Sequence, residues 1–307
     1  MQVYLPIAEL SINVFLLFGI GALVGVLSGM FGVGGGFLMT PALIFSGIPP
    51  AVAVSTGANQ IVASSVAGAL AHWRRRAVDV RMGLVLLAGG IVGALIGVFL
   101  FRYLRSLGLI DLVISLAYVF FLGGVGLLML YESARTIWRT RRGISAPAKS
   151  GGKHSWIHGL PVKMRFKQSR LYVSAIPPFV LGTVMGLLAS IMGVGGGFFL
   201  IPAMIYVLRI PTNIVIGTSL FQIIFVMAFT TVLQAVTNQT VDIVLALFLI
   251  VGGVVGAQLG AMLGQRIKGE WLRLLLAGIV VAVALFLAHG LALPPKDPYS
   301  IEIVRAK

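Results

Sequence analysis

The chain has 307 residues, of which 59% are hydrophobic and 10% charged, and its mean hydropathy is +1.05. Soluble domains carry about a quarter charged residues, so this composition excludes an ordinary water-soluble protein and belongs to the membrane class. The net charge of +15 sits between apolar stretches as a positive-inside bias, which excludes a nucleic-acid partner, and the lack of cysteine excludes disulfides and thiolate metal sites.

The charges divide the chain. Leu10 to Trp73, Met82 to Phe101, Leu112 to Tyr131, Tyr172 to Leu208, Ile210 to Val241 and Ile243 to Gln265 contain no Asp, Glu, Lys or Arg. At roughly 20 apolar residues per span, they hold about eight to ten passes. In chain order the pattern predicts helices near 8–30, 36–47, 51–72, 82–102 and 111–131, then near 172–192, 197–208, 212–236, 243–265 and 272–292. No Lys or Arg precedes Arg74, so the start lacks the basic region of a cleaved signal peptide, and an inserted chain is expected.

The fold class expected is an all-α polytopic membrane protein made of two homologous repeats. Gly32-Val33-Gly34-Gly35-Gly36-Phe37 recurs as Gly193-Val194-Gly195-Gly196-Gly197-Phe198, and Pro41, Ala42 and Ile44 match Pro202, Ala203 and Ile205 at the same offset. Thr56 and Gln60 fall opposite Thr218 and Gln222. Asp79, Gly89, Gly90, Gly93 and Gly97 fall opposite Asp242, Gly252, Gly253, Gly256 and Gly260. The organisation is therefore 1–131 for the first repeat, 132–171 for a linker, 172–292 for the second repeat and 293–307 for a tail. Glu132 to Arg170 holds ten Lys or Arg, one acid and the loop markers Pro147, Ser150, Gly151 and Gly152. It reads as a cytoplasmic linker that fixes orientation, with contact to anionic lipid as the alternative.

If the short segments 36–47 and 197–208 cross the membrane, each half makes five passes and the second half is inverted. If they are re-entrant, the arrangement is four plus four and the halves are parallel. Residues 1–13 and the turn from Asn238 to Asp242 lack Lys and Arg, which favours five plus five.

Three consecutive glycines each cost about 1 kcal/mol relative to Ala in a helix, so the clusters predict breaks inside spans. Unwound backbone must line protein or a water-filled cavity, and the short helix after each break presents free N–H groups and a positive dipole end to an anion. The candidate binding residues are Gly34, Gly35, Gly36, Gly195, Gly196 and Gly197, and the two breaks are expected to meet near the midplane. Close helix packing at small residues is the competing reading. On the following helices lie Ser55, Thr56, Asn59 and Gln60, and Thr218, Ser219 and Gln222. Thr56 with Gln60, and Thr218 with Gln222, share a face at a spacing of four and offer neutral donors to an oxyanion or, alternatively, interhelical hydrogen bonds. Asp79 and Asp242 precede apolar helices and read as N-terminal caps. His72, His154, His158 and His289 have no metal-ligand spacing, so no metal, cofactor or catalytic residue is expected.

A membrane helix that runs into G-x-G-G-G and then Pro, twice over, resembles the TauE/SafE sulfite exporter family across about residues 12–131 and 172–291. The resemblance implies a bacterial inner-membrane, multi-pass permease that exports a small anion such as sulfite or an organosulfonate. An anion channel with a continuous pore, or a permease for another oxyanion, is the alternative. The expected partners are this substrate and the lipid bilayer, with homo-oligomerisation open.

Overall fold

The computed structural model describes residues 2–31, 34–141, 161, 163–166, 168–169, 171–206, 208, 210, 212–264 and 269–292. Gly32, Val33, Arg209, most of the basic linker with its Pro147, Ser150, Gly151, Gly152, His154 and His158, and the tail lie outside them. Each half opens with an antiparallel hairpin: β1 (Gln2–Leu5) with β2 (Leu10–Asn13), and β3 (Lys163–Phe166) with β4 (Leu171–Ser174). Five helices follow in each half. The first set is α1 (Val14–Phe31), α2 (Gly36–Phe45), α3 (Pro50–Arg74), α4 (Val80–Ser106) and α5 (Ile110–Arg141). The second is α6 (Ile176–Met192), α7 (Gly197–Tyr206), α8 (Thr212–Thr237), α9 (Ile243–Gly264) and α10 (Gly269–Ala292).

Local chemistry explains most boundaries. Pro50 and Pro177 occupy first-turn positions, where a missing N–H costs nothing. Asp79 caps α4 by accepting the Met82 amide at 3.3 Å, and Asp242 accepts that of Leu245 at 3.1 Å. The expected caps are therefore present. Two segments differ from the sequence reading: residues 10–13 and 172–174 are strands, and α5 continues past 131 to Arg141. Among the described residues, six helices (α1, α4, α5, α8, α9 and α10) are long and apolar enough to cross a membrane.

The halves are interlaced by glycine. Helix α4 packs in parallel against α6: a Cβ at Gly89, Gly93 or Gly186 would lie 2.1, 1.9 or 2.0 Å from the carbonyl oxygen of Phe179, Thr183 or Gly90. Helix α9 packs on α1 in the same manner, with Gly256 and Gly260 against the carbonyls of Ala22 and Val26 at 2.1 and 2.0 Å. The repeated glycines of the fourth helix in each half are thus the contact surface for the first helix of the other half, at the small-xxx-small spacing of close-packed membrane helices.

Direction follows from the same contacts. Gly68 on α3 abuts Leu220 on α8, whereas Gly217 on α8 abuts His72 and Ala77 at the far end of α3. The counterpart helices α3 and α8 therefore run antiparallel. Gly123 near Ala284 and Gly126 near Val280 give the same result for α5 and α10.

Because Gly186 has no room and Gly278 has nothing within 4 Å, their substitutions should separate. Gly186→Ala should destabilise the detergent-solubilised protein by about 1–3 kcal/mol through overpacking. Gly278→Ala should leave the melting midpoint unchanged or slightly raised, and equal effects of the two would refute this account of the seam.

Candidate functional site

The two glycine clusters form the tips of two helical hairpins, α1–α2 and α6–α7. Gly34 and Gly35 have φ of 85° and 72°, and Gly195 and Gly196 have φ of 72° and 74°. Side chains are strongly disfavoured there, which is why the sequence places Gly at these positions. Helix α2 starts at Gly36, with no side-chain cap on its N-terminus, and α7 starts at Gly197. Their first intrahelical bonds run from Leu38 and Met39 to the Gly35 carbonyl and from Phe199 and Leu200 to that of Gly196. The amides just before these bonds have no acceptor within their own helix, as at any helix N-terminus.

The tips meet. A Cβ at Gly36 would lie 2.5 Å from the Val194 carbonyl oxygen, and the counterpart rings of Phe37 and Phe198 stack with centroids 5.2 Å apart. Gly34 and Gly195 share Ile61 and Ile223 as neighbours. One residue before each of these isoleucines comes Gln60 or Gln222, which are 0% and 2% exposed. Gln60 lies over Gly253, and the Gln222 amide nitrogen over Gly90. All six candidate glycines and both glutamines are buried; the two glycine clusters meet, while the glutamine side chains lie against α9 and α4, one residue from the isoleucines that pack on the clusters.

The threonines go elsewhere. Thr56 Oγ1 accepts the Asp242 amide and Thr218 Oγ1 accepts that of Asp79, each at 3.0 Å. Both hydroxyls form interhelical bonds between the halves, near opposite ends of α3. A spacing of four put each Thr and Gln on one helix face, but one turn along the axis separates a bundle end from its centre.

Each of these aspartates does more than cap. Asp242 Oδ2 accepts the Ile7 amide at 3.0 Å, in the turn of the first β-hairpin. Asp79 Oδ2 accepts both the amide and the hydroxyl of Ser169 at 2.9 Å, in the turn of the second. The chain leading into α1 and the start of α3 therefore meet at Asp242, so α2 returns to the end where α1 began. The same holds for α6, α7 and α8 at Asp79.

Several residues that the sequence did not single out complete the centre. The α6 carbonyls exposed by the break are satisfied: Gln234 Nε2 donates to Ser190 O at 3.1 Å, and Tyr118 Oη and Thr40 Oγ1 donate to Met192 O at 2.7 and 3.4 Å. Ser64 Oγ reaches Gly34 O at 3.4 Å. None of these side chains has a like counterpart in the other repeat, so self-comparison carries no signal for them. Against this background, both amide atoms of Gln60 and the hydroxyl of Ser65 are buried without any partner. Ser65 Oγ lies 3.4 Å from where a Gly34 Cβ would be. Buried polar groups are nearly always paired, so unpaired ones at a double helix break call for a ligand or water.

Apolar helices long enough to span a bilayer, wrapped around buried, broken helix tips with neutral polar groups, are the architecture of a multi-pass membrane transporter. The chain belongs to the TauE/SafE sulfite exporter family, whose profile matches residues 17–287. It is similar to "Probable membrane transporter protein YunE" of Bacillus subtilis, at 26% identity over 76% of this chain and 82% of that protein. It is also similar to a "Probable membrane transporter protein" of Xylella fastidiosa, at 29% identity over 87% and 92% of the two chains. No solved structure gives a significant match.

Removing either threonine hydroxyl strands a backbone amide. Thr56→Val and Thr218→Val should each lower stability by about 1–3 kcal/mol, the cost of an unsatisfied buried donor. Thermal unfolding in detergent checks this; unchanged midpoints would mean that these bonds do not join the halves.

Proposed function

We propose that the protein exports a small oxyanion, such as sulfite or an organosulfonate, across a bacterial inner membrane. In this reading the anion binds between the two helix breaks, on backbone amides of the Gly34–Gly36 and Gly195–Gly197 segments and on the amide groups of Gln60 and Gln222. Thr56 and Thr218 hold the frame in place and do not contact substrate. The single observation that carries the reading is the unpaired amide of Gln60, fully buried over Gly253 and one residue from Ile61, which packs on Gly34, Gly36 and Gly195.

Antiparallel counterpart helices support two inverted repeats, the architecture in which alternating access comes from rocking about a central site. The end bearing Asp79 also carries exposed Arg74, Arg75, Arg76, Arg81 and Arg165, so the positive-inside rule assigns it to the cytoplasm. A carrier is favoured over a continuous pore by the direct contact of the two tips, where the Phe37 and Phe198 rings stack with centroids 5.2 Å apart. The cavity beside the second tip, against α5 and α6, is about 20 Å³ and apolar.

Orientation is testable on the cysteine-free background. Ser106→Cys and Arg75→Cys place thiols at exposed positions on opposite ends of the bundle. An impermeant thiol reagent should label the first only from outside and the second only from inside, and labelling of both from one side would overturn the inverted reading.

Transport itself should be electrogenic. Among the described residues the acids fall at span ends or in turns, so no carboxylate at the midplane serves as a proton carrier. An inside-negative potential is worth about 2.3 kcal/mol per charge per 100 mV and drives anions out. In proteoliposomes at equal pH, valinomycin-imposed inside-negative potential should accelerate sulfite efflux. Gln60→Met, which keeps the volume but deletes the amide, should reduce that flux at unchanged melting midpoint. Flux that follows a pH gradient and ignores potential, or a fully active Gln60→Met, would refute the respective claim.

A further inference from the structure

A groove of about 510 Å³ opens on the side of the bundle, between the first turns of α4, the start of α6 and strand β3. Leu84, Ala88, Met164, Ile176 and Phe179 wall it, with Arg81 as its one charged residue. Leu84 is 52% exposed and Phe179 38%, so the apolar wall is open laterally, toward the acyl region of a bilayer. Arg81 Nη1 donates to the Arg165 carbonyl at 3.5 Å. That contact ties the guanidinium to β3, and Arg81 has no carboxylate partner among the described residues. The nearby carboxylate, Asp79, is buried and already accepts from Met82 and Ser169.

The other half of the molecule provides a control. By the repeat alignment, the counterpart of Arg81 is Val244, and the first β-hairpin has no Lys or Arg where the second carries Lys163 and Arg165. The fold is duplicated, but the cation beside the groove is not. An apolar trough that ends in a guanidinium with no carboxylate partner among the described residues matches one occupant in shape and charge: a phospholipid whose tail lies along α4 and α6 and whose phosphate meets Arg81. Basic pockets between spans on the cytoplasmic side bind anionic headgroups in this way.

We propose that this groove is a specific site for one anionic phospholipid of the leaflet facing the Asp79 end. The lipid would bridge the halves, since α4 belongs to the first and β3 and α6 to the second. It would brace the base of the α6–α7 hairpin at the seam where Gly89 and Phe179 meet.

The test uses the full chain in detergent, with phosphatidylglycerol or phosphatidylcholine of identical acyl chains added at equal mole fraction. Phosphatidylglycerol should raise the melting midpoint above the phosphatidylcholine value and should remain bound in native mass spectra. Arg81→Gln, which removes the cation, and Ala88→Trp, which fills the trough but keeps the cation, should each abolish that difference. Equal shifts from the two lipids would overturn the proposal. So would a phosphatidylglycerol effect that survives in both variants, or one reproduced by inorganic phosphate alone, which would reduce the site to a surface anion contact.

Discussion

The structure depends on one constraint: backbone polar groups inside a bilayer have no water to turn to. Two breaks in the middle of membrane helices would each leave amides and carbonyls unpaired, so they survive only when surrounded by protein. The chain meets this requirement by placing the breaks against one another and enclosing them. The carbonyls at the end of α6 receive Gln234, Tyr118 and Thr40, and the Gly34 carbonyl receives Ser64. Outside this layer, α4 and α9 approach α6 and α1 so closely that glycine is the only residue with room at the contacts. Satisfaction of the breaks and glycine packing are therefore two parts of one solution. Among the described side chains left unpaired, which also include His72, Thr230 and Thr231, the Gln60 amide and the Ser65 hydroxyl are those next to residues that pack on the breaks.

The halves are held together by exchange. Asp242 of the second half anchors the first half's β-hairpin and α3, while Asp79 of the first half anchors the second half's β-hairpin and α8. A buried carboxylate is costly unless its lone pairs are filled. Here backbone amides, a serine hydroxyl and a helix N-terminus provide the donors in place of a cation. Each clasp sits at the base of a helical hairpin whose tip lies at the centre. The base is thereby fixed to the opposite half.

Much of this was legible in the sequence, and the limits have physical causes. The glycine clusters announced both breaks and the starts of α2 and α7, because no other residue tolerates the positive φ required. The repeat offsets identified Gln60 with Gln222, and Asp79 with Asp242 as caps. Residues 10–13 and 172–174 read as helix because short apolar runs do not distinguish strand from helix by period alone. Thr56 and Thr218 were grouped with the glutamines because a shared face says nothing about depth along the axis. Ser65, Gln234 and Tyr118 act singly, so duplication could not point to them. The choice between four and five passes also turned on a false equivalence. It took a re-entrant short helix to imply parallel halves, yet α2 returns to the end where α1 began while α3 and α8 still run antiparallel.

The neutral character of the centre bears on how a carrier of anions would work. A lysine or arginine 4 Å from a bound anion is worth about 4 kcal/mol at an effective dielectric of 20, and a divalent anion would double that. Such a site binds well but releases slowly. In the proposed site, helix-end amides and glutamine side chains would spread a weaker attraction over several donors, each of which could return to a water or a neighbouring carbonyl when the anion leaves. The cations of this chain stand instead at the ends of the bundle, Arg74, Arg75, Arg76 and Arg81 at one and Arg102 and Arg105 at the other. There they can raise the local anion concentration without trapping it. A centre without a fixed charge would not hold the anion toward either face by electrostatics of its own. Direction in such a carrier then falls to the fields acting on the substrate's own charge, and an inside-negative membrane supplies the outward one.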